Sequence, residues 1–180
     1  EFAKSQDETA KVVLMSPRGQ RWKQAKAQKE ADDDRGVIFI CGRYEGVDER
    51  ILELVDEQWS IGDFVLTGGE LPAMVLVDAV ARFIPGVLAS DESVLEESIY
   101  SGLLEYPQYT RPRTMEEGKV PEALLSGDHK RIELWRFEQS MRITKERRPD
   151  MWQEFVEKFR ADEKAYSKKE RLLIESVIRD

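Results

Sequence analysis

A chain of 180 residues with 41% hydrophobic and 36% charged side chains is globular rather than disordered, and long enough for one sizeable core plus a small helical domain. Its formal charge of −8 argues against nonspecific nucleic-acid binding by the chain as a whole. The single cysteine, Cys41, excludes an internal disulfide and fits a reducing, cytoplasmic setting; the longest apolar region, Leu71 to Leu88, is interrupted by Asp78 and Arg82 and broken by Pro85, so neither a membrane span nor a signal peptide is expected.

In chain order, Val12-Val13-Leu14-Met15 predicts a short strand that ends in Ser16-Pro17-Arg18-Gly19. A helix is expected from Arg21 to about Ala31, followed by a charged turn over Asp32 to Arg35. Val37-Ile38-Phe39-Ile40 predicts a second strand, closed by the glycine loop Cys41-Gly42-Arg43-Tyr44-Glu45-Gly46. Val47, Ile51, Leu52 and Val55 recur at helical spacing. Trp59 to Leu66 supplies a third strand and its loop, with Phe64-Val65-Leu66 read as a buried strand segment. Thr67-Gly68-Gly69 cannot continue that strand, and its bare backbone can approach a ligand. Pro72 suits a first helical turn. The apolar residues Leu71, Met74, Val75, Val77, Ala81 and Phe83 make too broad a stripe for a surface helix, so this helix is expected to be largely buried up to Pro85-Gly86.

Strand, loop and helix repeat, which predicts a parallel α/β sheet. Loops after parallel strands lie side by side and form the ligand crevice. Three here carry glycine, and together they predict one pocket. None has the spacing of a dinucleotide fingerprint or a phosphate-binding lysine loop, so a ligand held chiefly through pyrophosphate is not expected.

From Ala89 to Tyr109 the helical pattern fails, and Asp91, Glu92, Glu96 and Glu97 sit among serines and a glycine, as in a linker or lid or in an acidic solvated tether. Asp128 is placed as the N-cap of a long helix carrying Ile132, Trp135, Met141 and Ile143. Pro149 ends it, and two amphipathic helices follow, roughly Asp150 to Ala161 and Lys168 to Ile178. Between His129 and Arg148, seven basic residues face three acidic ones. That excess suits either a solvated face with i,i+4 pairs or a phosphate-binding surface.

Five stretches, Cys41 to Arg50, Ser60 to Met74, Arg82 to Leu88, Tyr106 to Pro112 and Leu124 to Gly127, closely resemble the bacterial tRNA (guanine-N(1)-)methyltransferase family, TrmD, of the SPOUT superfamily. The resemblance runs from about Lys11 to Arg148. It implies an α/β fold, a SPOUT-type parallel sheet with a deep trefoil knot, followed by a small all-helical C-terminal domain. Residues 1–88 would be the cofactor domain, 89–112 a linker or lid, and 113–180 the tRNA-binding domain. The implied partner is a second copy of the chain, the cofactor S-adenosyl-L-methionine, and the reaction methylation of the guanine 3′-adjacent to the anticodon. Full-length relatives begin with a further strand-helix region, so a chain that opens at Glu1 is expected to lack that segment. The alternative is a truncated, noncatalytic module that binds cofactor or RNA.

Carried over by motif, the cofactor residues would be Leu14, Ser16, Pro17 and Gly19; Gly42, Arg43, Tyr44 and Glu45; Ser60, Ile61, Gly62, Asp63, Phe64, Val65 and Leu66; and Gly68, Gly69 and Pro72. Arg82 matches the family's essential arginine, where a guanidinium near guanine O6 would stabilise the charge that develops as the N(1) proton leaves; its structural alternative is to cap its helix. The family's proton acceptor is an aspartate in an Asp-Ser-Phe context. Here the aligned residues are Glu97-Ser98-Ile99, so Glu97 is the implied base, acting in trans, with Asp91, Glu92 and Glu96 as rivals. Arg111, His129, Arg136, Arg142, Arg147 and Arg148, with Lys130 and Arg131, would grip tRNA, and Tyr109 and Trp135 could add stacking. No metal ligand set is assigned.

Overall fold

Stiff β-branched and apolar side chains at Val12-Val13 and Val37-Ile38 favour extended backbone, and both runs form strands. The computed structural model describes residues 2–44, 46–87, 102–116 and 118–180. The chain divides into two compact units, Glu1–Asp91 and Glu92–Asp180.

In the first unit, a short helix α1 (Phe2–Gln6) precedes strand β1 (Lys11–Arg21), helix α2 (Gln24–Ala31), strand β2 (Val37–Cys41), a 3-10 turn (Glu49–Leu54), strand β3 (Glu57–Ser60) and helix α3 (Glu70–Ala81). The sheet is parallel with order β2-β1-β3. β1 pairs with β2 from Lys11↔Val37 to Met15↔Cys41. Against β3 it loses register after Met15↔Trp59 and regains it at Gln20↔Trp59. Val13, Met15, Trp59, Ala73 and Leu76 form the core. Trp59, 1% exposed, is its largest member, packed against Trp22 with ring centroids 4.8 Å apart and edge-on to Phe39 at 6.0 Å.

Four expectations are corrected here. The first strand does not stop at Met15: β1 continues to Arg21, and Ser16 to Gly19 is an excursion within it. Phe64-Val65-Leu66 is neither strand nor buried; Val65 is 88% exposed. The strand ends earlier because the Ser60 hydroxyl accepts from the Gly62 N–H and donates to the Gly62 carbonyl, both at 3.2 Å, while Gly62 adopts φ 150°. The helical spacing after Val47 produces a 3-10 turn instead of an α-helix. α3 turns only Pro72, Ala73 and Leu76 into the core and leaves Leu71, Met74, Val75 and Val77 between 53% and 67% exposed. The sheet and α2 cover one side of this helix, while its apolar residues lie on more than one side.

In the second unit, β4 (Thr114–Met115) and β5 (Gly118–Lys119) form a two-rung antiparallel ladder, so the C-terminal part is helical but not all-helical. Helices α4 (Glu122–Leu125), α5 (His129–Arg147), α6 (Pro149–Ala161) and α7 (Lys168–Arg179) follow. The Asp128 carboxylate caps α5 by accepting from the Arg131 N–H at 3.2 Å. Pro149 at the first turn of α6 explains why α5 stops where it does. Leu103, Met141, Phe155, Phe159, Ile174 and Val177 form this unit's core. No helix among the described residues is long and apolar enough to cross a membrane.

Candidate functional site

Pro17 has no N–H to give a ladder, and Gly19 comes so close to β3 that an added Cβ would lie 2.4 Å from the Gln58 carbonyl carbon. Between them, β1 is pushed off register. The Arg18 N–H donates to the Ser16 hydroxyl at 3.2 Å, a local turn that sets the shape of this first loop.

The second and third loops are stitched by backbone. Arg43 and Gly68 form an antiparallel bridge, and the Gly69 N–H donates to the Gly42 carbonyl at 3.0 Å. Gly69 is required by this approach: its Cβ would lie 2.8 Å from Cys41 Cα and 3.1 Å from Met15 Cβ. Tyr44 holds φ 59° at 94% exposure, a left-handed conformation that is uncommon outside glycine and Asn or Asp.

The three loops enclose a cavity of about 570 Å³. Of the residues assigned from sequence, Leu14, Ser16 and Pro17 line it from the first loop and Gly42, Arg43 and Tyr44 from the second. Ser60, Ile61, Gly62, Phe64, Val65, Leu66, Gly68, Gly69 and Pro72 line it from the third loop and the start of α3. Gly19 does not line it, because it packs on the β3 backbone instead. Nor does Asp63, which pairs with Arg21. Glu45 lies outside the described residues. Met15, Arg18, Gly46, Val47, Glu49, Leu52, Gln58, Trp59 and Thr67 also line the cavity and are not among the residues assigned from sequence. Leu52 stands at helical spacing with Val47, Ile51 and Val55, and the 3-10 turn that forms instead carries it to the cavity wall.

Charge at the cavity is paired. Arg18 donates two hydrogen bonds to the Glu49 carboxylate, at 2.9 and 2.8 Å, and these hold that carboxyl below its ordinary range. Arg43 donates to Glu70 at 3.0 Å. Glu70's own backbone N–H and then Arg43 lower its carboxyl. Burial, then the Glu70 charge, pushes the Cys41 thiol up.

Arg82 follows the last turn of α3, where its backbone N–H donates to the Asp78 carbonyl at 3.3 Å, and its side chain is half-buried. It does not line the cavity. Pro72 does, and ten helical residues at 1.5 Å each set Arg82 roughly 15 Å farther along the same axis. Glu97, with its rivals Asp91, Glu92 and Glu96, lies outside the described residues.

In the second unit Arg111, His129, Lys130, Arg131 and Arg147 are exposed. Arg142 is tied to Glu138 and Asp180, both at 2.9 Å, and Arg148 is held by Asp150 at 2.8 and 2.5 Å. The i,i+4 reading therefore holds for Arg142. Arg136 is half-buried, its guanidinium 4.6 Å from the Tyr106 ring centre, and Tyr109 and Trp135 rings lie 6.2 Å apart. Among the described residues no cluster of His, Cys, Asp or Glu could hold a metal ion.

A parallel sheet whose strand-end loops build a mixed polar and apolar cavity defines an α/β domain with a candidate ligand crevice. The family profile described as tRNA (Guanine-1)-methyltransferase TrmD matches residues 2–154. Proteins named tRNA (guanine-N(1)-)-methyltransferase are similar over most of the chain. The Alkaliphilus oremlandii protein is 48% identical across 97% of this chain and 66% of its own length. The Myxococcus xanthus protein is 51% identical across 96% and 70%, and the Thermosipho africanus protein 55% identical across 78% and 56%. The chain belongs to the TrmD family of tRNA (guanine-1)-methyltransferases. It spans somewhat less than two thirds of the length of several of these relatives.

Proposed function

We propose that this chain is the cofactor-holding and RNA-gripping part of a tRNA (guanine-N(1)-)methyltransferase that uses S-adenosyl-L-methionine, works as a homodimer in the cytoplasm, and methylates the guanine 3′-adjacent to the anticodon. The observation that carries this reading is the convergence of three glycine-bearing loops on one cavity of about 570 Å³. That volume is in the range of small-molecule sites. The walls fit a nucleoside: the glycine loops at Gly42, Gly68 and Gly69 bring backbone to the cavity where an adenine edge can be read, and Leu14, Ile61 and Leu66 offer apolar surface to its faces. We assign these loops to the deep trefoil knot of the SPOUT fold, on the strength of the family alone.

The bound cofactor supplies an electrophilic methyl group on a sulfonium. This chain's residues prepare the acceptor. Glu97 takes the proton from guanine N(1), and Arg82 donates hydrogen bonds to O6, where negative charge develops. The N(1) edge is out of reach in a paired base, so the guanine must be splayed from its loop. Arg111, His129, Arg136 and Arg147 hold the anticodon arm, with Arg142 and Arg148 exchanging their carboxylates for phosphate.

Homodimerisation is supported by α3. Its exposed Leu71, Met74, Val75 and Val77 make a largely apolar face, with Asp78 among them, on a helix whose other side is core. Antiparallel packing on the same helix of a second copy would bury that face. It would also bring Arg82 at one helix end beside the Pro72 end of the other, which removes the roughly 15 Å gap within one chain.

Methyl transfer by this chain to an anticodon-arm RNA tests the reading. Transfer is expected to RNA with guanine at the target position and not to its adenine counterpart, and Arg82→Ala is expected to lower the rate roughly 100-fold or more. Cofactor binding without transfer to either RNA would favour the noncatalytic module.

A further inference from the structure

Arg18 and Glu49 come from different elements, the β1 excursion and the first residue of the 3-10 turn, and both line the cavity. They meet in a two-pronged ion pair, with N–H···O distances of 2.9 and 2.8 Å. Their side chains are 67% and 66% exposed, and an exposed pair of this kind contributes little to stability, so parting it costs little. Neither belongs to either core. The pair therefore places a cation and an anion, each movable on a long side chain, at the wall of a cavity whose remaining lining, among the described residues, carries no other carboxylate.

Arg43 also lines the cavity, but its partner Glu70 does not, and that pair is less free to adapt. Glu70 accepts from its own backbone N–H at the start of α3 as well as from Arg43, and its Oε2 sits 2.2 Å from where a Cβ on Gly68 would be. Moving it would undo a helix start and a loop contact together.

A nucleoside thioether or sulfonium with an amino-acid tail carries an α-carboxylate and an α-ammonium on one carbon. Uncharged backbone can read the nucleoside half but cannot neutralise both tail charges. We infer that Arg18 and Glu49 part on binding and clamp the tail, the guanidinium on the carboxylate and the Glu49 carboxylate on the ammonium, and thereby set specificity for tail-bearing nucleosides over tail-less ones. The inference rests on the reading of the cavity as the cofactor site.

Calorimetric titration with S-adenosylhomocysteine and with 5′-methylthioadenosine, which lacks the tail, tests it on the wild type, Arg18→Gln, Glu49→Gln and the double variant. The wild type is expected to bind S-adenosylhomocysteine roughly tenfold or more tighter, the scale of a pair of charge-assisted hydrogen bonds. Each single variant is expected to lose part of that preference and the double variant all of it. Binding of 5′-methylthioadenosine should stay within about twofold of wild type, which also reports that the cavity is intact. A double variant that keeps the wild-type ratio, or one that weakens both nucleosides alike, overturns the clamp. A wild type that binds neither nucleoside fails the cavity reading itself, a result distinct from binding of both with no effect of the substitutions.

Discussion

A methyl group at Gly69 would collide with two strands, at Cys41 on β2 and Met15 on β1, at 2.8 and 3.1 Å. Gly69→Ala is expected to lower stability by about 1–3 kcal/mol, as overpacking does, and to weaken cofactor binding because the loop bearing Gly68 must move away; chemical denaturation and calorimetry read the two effects. Glu57 gives a pH-dependent counterpart. Burial pushes its carboxyl up, but hydrogen bonds from Lys26 at 2.7 Å and Trp59 at 2.8 Å, with the charges of Lys26 and Lys11, outweigh that and bring it from 4.5 to about 2. A carboxyl lowered in the folded state stabilises above its unfolded pKa and loses that contribution as pH falls. Stability is therefore expected to drop as pH falls from about 4.5 towards 2, and Glu57→Gln to flatten the drop in denaturation midpoints across that window. The glycines are the legible part of the cavity wall, because three glycine-bearing loops after strands point to one pocket where any one of them alone is more often a simple turn. Gly19 looked the same in sequence and serves β3 packing, a distinction set by register that no local spacing encodes.

Elements differ in how openly the sequence declares them. α6 and α7 have apolar residues on one helical stripe, with Phe155 and Phe159 in α6 and Ile174 and Val177 in α7 buried in the core they share, and both were legible within a residue or two. Phe64 to Leu66 misled because an apolar run reads as a buried strand whether or not a partner strand exists beside it. A knot of the kind the family resemblance implies leaves no periodic trace in a sequence, so only the resemblance raises it. α7 begins with a reciprocal capping box, in which the Glu170 N–H donates to the Ser167 hydroxyl at 3.3 Å and the Ser167 N–H to the Glu170 carboxylate at 2.7 Å. Ser167→Ala is expected to cost about 1 kcal/mol by thermal or chemical unfolding. In α3, Leu76 is fully buried, and Leu76→Ala is expected to cost about 2–5 kcal/mol.

At the scale of the whole molecule, α3 links packing to function. Its buried stripe holds the sheet, its first turn closes the cavity, and its outward face is largely apolar and exposed. Met74→Glu with Val77→Glu is expected to leave the fold intact, since both side chains point away from the core, and to convert a dimer to a monomer in light scattering at micromolar concentration. Methyl transfer should fall with it, because Arg82 would no longer meet a second cavity. The claim beneath all of this is that the three loops form one cofactor site, and backbone-amide chemical shifts during titration with S-adenosylhomocysteine test it most directly. The account predicts shifts concentrated at 14–19, 42–44 and 60–69; saturable binding that leaves these amides unmoved while others shift would contradict it.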